Sequence, residues 1–224
     1  MGASCVGKRI RAFIFDLDGV ITDTAEYHYQ AWKRLADEEG LSFNRQENEK
    51  LRGISRRSSL EIVLKGRSIS EDRIKELMDR KNSYYLSFIA EMSEKDLLPG
   101  AVALLEDLEK KKFKLALASA SKNARQVIEN LRIGSLFDVI ADGNSVDKTK
   151  PAPDLFLFAA ERIEVAPQEC VVVEDAEAGI TAAKAAGMIV VGIGPAERVG
   201  RADYIYPAVA EISLEDILGD DRSL

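Results

Sequence analysis

Hydrophobic positions along the chain fall into two regimes. Residues 10–15 form an apolar run broken only by Arg11, which with the residues after it predicts a first buried strand over 10–18. From 25 to 94 apolar residues recur at helical spacing, as in the face Ala31, Trp32, Leu35 and Ala36, with breaks at Gly40, Gly53 and Gly66. Ser70 followed by Glu71 and Asp72 is a helix start with acids in its first turn. Pro99-Gly100 then punctuates the chain.

Beyond that point short apolar runs alternate with helical stripes. The pattern predicts strands over 113–118, 137–141, 170–173 and 188–193, with a further short one over 204–206. Between them it predicts helices at the stripe Val102, Leu105 and Leu108, then over 122–131, 154–163 and 176–186. Alternating strands and helices imply a parallel sheet covered on both faces. The first strand has no partner of its own and must join that sheet, so the helical stretch is an insertion. The expected fold is α/β: a doubly wound, Rossmann-like parallel-sheet core of residues 1–22 and 95–224, with an inserted helical cap of residues 23–94.

The 224 residues carry a formal net charge of -7, which argues against nucleic-acid and membrane-surface binding, since both call for a basic face. No apolar stretch has the length of a membrane helix, and residues 1–9 lack the apolar segment of a signal peptide, so the cytoplasm is expected. Two cysteines, Cys5 and Cys170, make no disulfide framework, and Cys170 reads as a small buried hydrophobe at the head of an apolar run. The segment Gly2 to Lys8 matches G-x-x-x-x-G-K. Arg9 stands where a phosphate loop needs Ser or Thr, and the glycines precede the first strand instead of following it, so the match is rejected.

Chemistry gathers where the predicted strands end, the ligand-binding side of open parallel sheets. The first strand ends in Asp16-Leu17-Asp18-Gly19. Two crowded carboxylates are either a solvated turn or a site for a cation, and Mg²⁺ favours one or two carboxylates plus phosphate oxygens. The second ends in Ser119-Ala120-Ser121-Lys122-Asn123, hydroxyls and N–H donors that form an anion site or, at Ser121 alone, a helix cap. The third leads to Lys150 among two prolines, and the fourth to Glu174-Asp175, readable as a surface lysine and a capping pair or as parts of one site. Their convergence is more specific than any single piece. In the cap, residues 45–82 hold eleven Lys or Arg against seven Asp or Glu, an anion-facing surface or a solvated face. His28, the one histidine, follows Thr24 closely, and is either structural or a proton shuttle near the first cluster.

These four clusters, in this order, resemble the haloacid dehalogenase superfamily of phosphotransferases. The stretch from Phe15 to His28, the run Leu117 to Asn123, the run Lys150 to Asp154 and the cap loop around Arg56 are similar to the β-glucose-phosphate mutases of that superfamily. The resemblance implies that Asp16 is the nucleophile and forms an aspartyl phosphate. It makes Asp18 the general acid/base, which also lends its carbonyl to the metal. It places the side chains of Asp16, Glu174 and Asp175 around one Mg²⁺ ion. Ser119, Ala120 and Lys150 would hold the transferring phosphoryl group. Arg56, Ser121, Lys122 and Asn123 would grip the other phosphate of a sugar bisphosphate. Arg52, Gly53, Ser59 and Lys81 would complete the substrate-binding set, and Thr24 and His28 would link cap closure to the placing of Asp18. Two positions depart from the pattern: Arg52 stands where Lys is expected, and Ala176 where Ser is familiar.

The implied activity is interconversion of β-glucose 1-phosphate and glucose 6-phosphate, with glucose 1,6-bisphosphate as intermediate and activator. The alternative on the same fold is a sugar-phosphate phosphatase, which needs no second phosphate grip. The expected partner is a small sugar phosphate, with the chain acting as a monomer.

Overall fold

The computed structural model describes residues 10–219; the Gly2–Lys8 match and Cys5 lie outside them. Six strands form one sheet in the order β3-β2-β1-β4-β5-β6, and every pairing is parallel. They are β1 (Ala12–Phe15), β2 (Lys114–Ala118), β3 (Val139–Ala141), β4 (Cys170–Glu174), β5 (Ile189–Ile193) and β6 (Tyr204–Tyr206). This is the Rossmann-like order, with its switch point between β1 and β4.

Helices α1 (Ala25–Glu38), α2 (Arg45–Glu49), α3 (Arg56–Val63) and α4 (Glu71–Ile89) all fall between β1 and β2. The remaining helices are α5 (Ala101–Lys110), α6 (Ala124–Asn130), α7 (Asp154–Arg162), α8 (Glu177–Ala185), α9 (Ala196–Val199) and α10 (Leu214–Leu218).

Alternation along the strands sorts their side chains to two faces. Phe13 and Phe15 of β1 and Val171 and Val173 of β4 join Leu105, Leu108 and Val127 in one buried cluster. Ala12, Ile14, Cys170 and Val172 join Leu155, Ala159 and Ile180 in another. Cys170 is fully buried, and burial pushes its thiol up to about 12, so it packs as a hydrophobe. The inserted helices hold a third cluster around Trp32, Leu35, Leu60 and Leu77. Tyr85 and Ile89 of α4 pack instead with the sheet-side cluster, so α4 joins the insertion to the core.

Element ends differ from the sequence reading in ways that matter for the site. The first strand stops at Phe15, so Asp16 and Asp18 lie in the turn beyond it, where Asp18 makes only an isolated bridge to Thr22. The helix expected from 122 begins at Ala124, leaving Ser121 to Asn123 in a loop. Gly40, Gly53 and Gly66 each fall between helices, and Ser70 caps α4 by accepting from the Arg73 N–H. Helices α9 and α10 are too short to leave a periodic signature.

Candidate active site

Strand register brings the two acidic clusters together. Phe15 pairs with Val173, and the Asp16 N–H donates to the Val173 carbonyl at 2.9 Å, so Asp16 and Glu174 leave adjacent strands at the switch point. Gly19 turns the chain with φ of 78°, a conformation costly for other residues. Asp16, Glu174 and Asp175, all buried, each offer a carboxylate oxygen within 4.8 Å of the others.

Lys150 reaches the same point from the loop after β3. Its Nζ donates to Asp16 at 2.5 Å and to Glu174 at 2.7 Å. Burial alone would lower the Lys150 pKa, but the charges of Asp16 and Glu174 outweigh it and raise it. Glu174 is pushed up by burial and by Asp16, against the pull of Lys150. Burial and Asp16 also push Asp175 up, against Arg52 and Arg198. Three carboxylates that bring hard oxygen donors to one point have the chemistry of a Mg²⁺ site, and these residues fit one.

Asp18 belongs to a different network. The Thr24 hydroxyl donates to its carboxylate, and the Tyr85 hydroxyl donates to Thr24 at 3.3 Å. His28 stacks on Tyr85 with ring centroids 4.2 Å apart, and Lys81 Nζ lies 2.8 Å from His28 Nδ1. Burial, then the neighbouring charge of Asp16, pushes Asp18 up to about 6. His28 is pushed well down by burial and then by Lys81 and Arg56, so its ring is neutral and shares a hydrogen bond with Lys81 through Nδ1. Burial and Arg56 likewise push Lys81 down, and burial pushes Arg56 down. Arg56 makes no ion pair among the described residues, though Asp79 lies near enough to act on its charge.

The loop after β2 supplies donors. Ser119 is buried and its Oγ accepts from the Ser121 N–H, while Ser121 Oγ accepts from the Asn123 N–H, both at 3.2 Å. Asn123, not Ser121, takes the N-cap position of α6 and makes no side-chain cap.

One cavity gathers most of the expected residues. Asp16, Asp18 and Asp175 line it from the strand ends, and Ser119, Ala120, Ser121 and Lys122 from the second loop. His28, Arg52, Gly53, Arg56, Ser59 and Lys81 line it from the inserted helices and loops. Thr24, Lys150 and Glu174 are buried behind those walls, while the Asn123 amide donates to Asn82 of α4 at 2.8 Å and ties the second loop to the cap. Arg52 Nε pairs with Glu49 at 2.8 Å and its Nη1 with Asp175 at 3.1 Å, so the departure from Lys places a forked cation across the cap–core gap. Gly53 faces Ala176, the second departure: a Cβ at residue 53 would lie 3.0 Å from the Ala176 methyl.

Sequence reasoning missed Tyr85, Asn82 and Arg198. Tyr85 carries only the helical period that any core aromatic carries, and Asn82 and Arg198 sit in polar stretches without a motif.

Comparison with known proteins agrees with this geometry. A family model for haloacid dehalogenase-like hydrolases matches residues 10–187. A β-phosphoglucomutase of Bacillus subtilis is 44% identical over 210 residues, covering 92% of this chain and 93% of that protein. A phosphorylated-carbohydrate phosphatase of Thermotoga maritima is 32% identical, covering 93% and 97%. The crystal structure of a β-phosphoglucomutase from Clostridium difficile superposes with a TM-score of 0.90 at 43% identity, covering 93% of this chain and 95% of that one.

Proposed function

The chain belongs to the haloacid dehalogenase-like hydrolase family, and within it we propose that it is a β-phosphoglucomutase, interconverting β-glucose 1-phosphate and glucose 6-phosphate. The observation that carries this reading is the shared cavity: the buried Asp16 and the unpaired Arg56 line the same space. A phosphatase needs the first of these. A bisphosphate intermediate needs both, since one phosphate must be held while the other reacts.

In the proposed reaction the enzyme carries its phosphoryl group on Asp16. The C6 hydroxyl of β-glucose 1-phosphate gives its proton to Asp18 and attacks phosphorus, and the bond to the Asp16 oxygen breaks. The resulting 1,6-bisphosphate reorients. Asp16 then attacks the phosphorus at C1, the bond to the C1 oxygen breaks, and Asp18 returns the proton to that oxygen. Its raised pKa, about 6, suits a group that must both take and give a proton. Thr24, held by Tyr85, orients the Asp18 carboxylate. Ser119, the Ala120 N–H and Lys150 hold the transferring group; Arg56, Ser121 and Lys122 hold the distal phosphate. Asp16, Glu174 and Asp175, with the Asp18 carbonyl, would hold Mg²⁺, which supplies charge neutralisation to the phosphoryl oxygens. The cap, residues 23–94, excludes water that would otherwise hydrolyse the aspartyl phosphate.

The test is direct. With Mg²⁺ and a trace of glucose 1,6-bisphosphate, the β anomer of glucose 1-phosphate should give glucose 6-phosphate, and the α anomer should not. Release of inorganic phosphate without glucose 6-phosphate would instead favour the phosphatase.

A further inference from the structure

One charged side chain of the core reaches the carboxylate cluster and has no part in the reaction above. Arg198 lies in α9, in the loop region that follows β5. Its Nη2 stands 3.7 Å from Asp175 Oδ2, the same oxygen that Arg52 contacts at 3.1 Å. The seat for this guanidinium is built. Gly194 leaves room, since a Cβ there would lie 2.5 Å from Nη2, and packing is close enough to bury Nε without a hydrogen-bond partner.

The two arginines belong to different parts of the molecule. Arg52 is tied to Glu49 of α2 and travels with the cap. Arg198 is part of the core and stays when the cap opens. Asp175 would then keep only one of its two cationic partners through the open phase, when substrate enters and the bisphosphate turns.

We infer that Arg198 is a positioning residue that keeps the Asp175 carboxylate aimed at Asp16 and Glu174 while the cap is open. Groups that hold a ligating carboxylate from outside orient it, and losing one typically weakens metal binding by about 10- to 100-fold. Charge alone predicts the reverse. A guanidinium near the cluster repels a cation, so deleting it would tighten binding. The sign of the change separates the two roles.

The inference rests on reading Asp16, Glu174 and Asp175 as the metal cluster, so the experiment tests that separately. MgCl₂ is titrated into metal-free wild type, Arg198→Ala, Arg198→Lys and Asp175→Ala by calorimetry, without substrate. Free Mn²⁺ counted by electron paramagnetic resonance gives a second readout. Arg198→Ala should bind at least about tenfold more weakly. Arg198→Lys should recover part of that loss, and kcat of Arg198→Ala at saturating Mg²⁺ should stay within about twofold of wild type. Unchanged or tighter binding by Arg198→Ala overturns the inference and leaves the metal cluster standing. Undiminished binding by Asp175→Ala overturns the cluster itself. If near-UV circular dichroism shows that Arg198→Ala does not fold, Arg198→Gln carries the same comparison.

Discussion

At the scale of single residues, the site runs on pKa values that burial and neighbours have moved. His28 offers the cleanest check because its shift is large and it is the one histidine of the chain. Burial, Lys81 and Arg56 keep it neutral in the folded chain, well below the 6.5 of a free imidazole. The unfolded chain takes up a proton below pH 6.5, and the folded chain does not. Stability therefore falls as pH drops below 6.5, at about 1.4 kcal/mol per pH unit for one proton. Asp18 works against this trend: its folded pKa of about 6 exceeds the unfolded 3.8, so its stabilising share is present at low pH and lost as pH rises through 6. Comparing wild type with His28→Gln isolates the histidine. Urea unfolding at pH 7.5 and 5.5 should show the stability gap moving in the variant's favour by about 1 kcal/mol at the lower pH. A gap independent of pH would mean that His28 takes up its proton in the folded protein as readily as in the unfolded chain. Asp16→Asn is the matching test of the nucleophile. It keeps the shape but removes the attacking charge, so acid-trapped phosphoenzyme should vanish while the near-UV circular dichroism is retained. Asp16, Asp18, Glu174 and Asp175 stood out in the sequence because charged residues at strand ends are conspicuous, whereas Lys150, nine residues past β3, was a candidate only through the convergence of the other clusters. Tyr85 was not, because its hydroxyl partner lies on another element, 61 residues away.

At the scale of elements, β1, β2, β4 and β5 followed from their buried apolar runs and α5 to α8 from their apolar stripes, while α9 and α10 were too short to show one. The ends were harder. Asp16 to Gly19 and Ser121 to Asn123 look continuous with their elements in sequence, yet the Gly19 N–H turns back to the Thr22 carbonyl, and the Ser119 and Ser121 hydroxyls take the N–H groups of Ser121 and Asn123. The contact between the loop from α2 to α3 and the loop from β4 to α8 was not legible at all, because it depends on how the cap sits. Gly53 makes that contact testable. It has φ of 71° and its missing Cβ would press on Ala176, whereas Gly40 has φ of 63° with open space beside it. Gly53→Val and Gly40→Val should each lose about 1–2 kcal/mol of stability from left-handed strain. Only Gly53→Val should lower kcat/KM for β-glucose 1-phosphate, by roughly tenfold or more, since a misplacement of about 1 Å can cost 100-fold. Equal kinetics in the two variants would show that the approach to Ala176 has no bearing on turnover.

At the scale of the whole molecule, the difference between a mutase and a phosphatase is whether water reaches the aspartyl phosphate before the sugar hydroxyl does. The core supplies the same chemistry either way; in the proposed reaction, closure of the cap decides the outcome. Arg56 is the residue through which a distal phosphate can pull the cap shut, because it lies at the start of α3, lines the cavity and makes no ion pair among the described residues. An arginine can take phosphate through two charge-assisted hydrogen bonds, each contact worth about 1.5–3 kcal/mol. Removing it should weaken both the grip on the sugar bisphosphate and the energy available for closing the lid. Acetyl phosphate, which has no second phosphate, reaches Asp16 without that grip. Arg56→Ala should therefore lose about 10- to 100-fold in mutase turnover, in line with that energy, and change little in the hydrolysis of acetyl phosphate. Both rates are measured on one preparation beside wild type. An equal fall in both would assign Arg56 to the core site or to the fold. No fall in either would leave the cavity with a single phosphate seat, and the phosphatase reading would then account better for the same carboxylates.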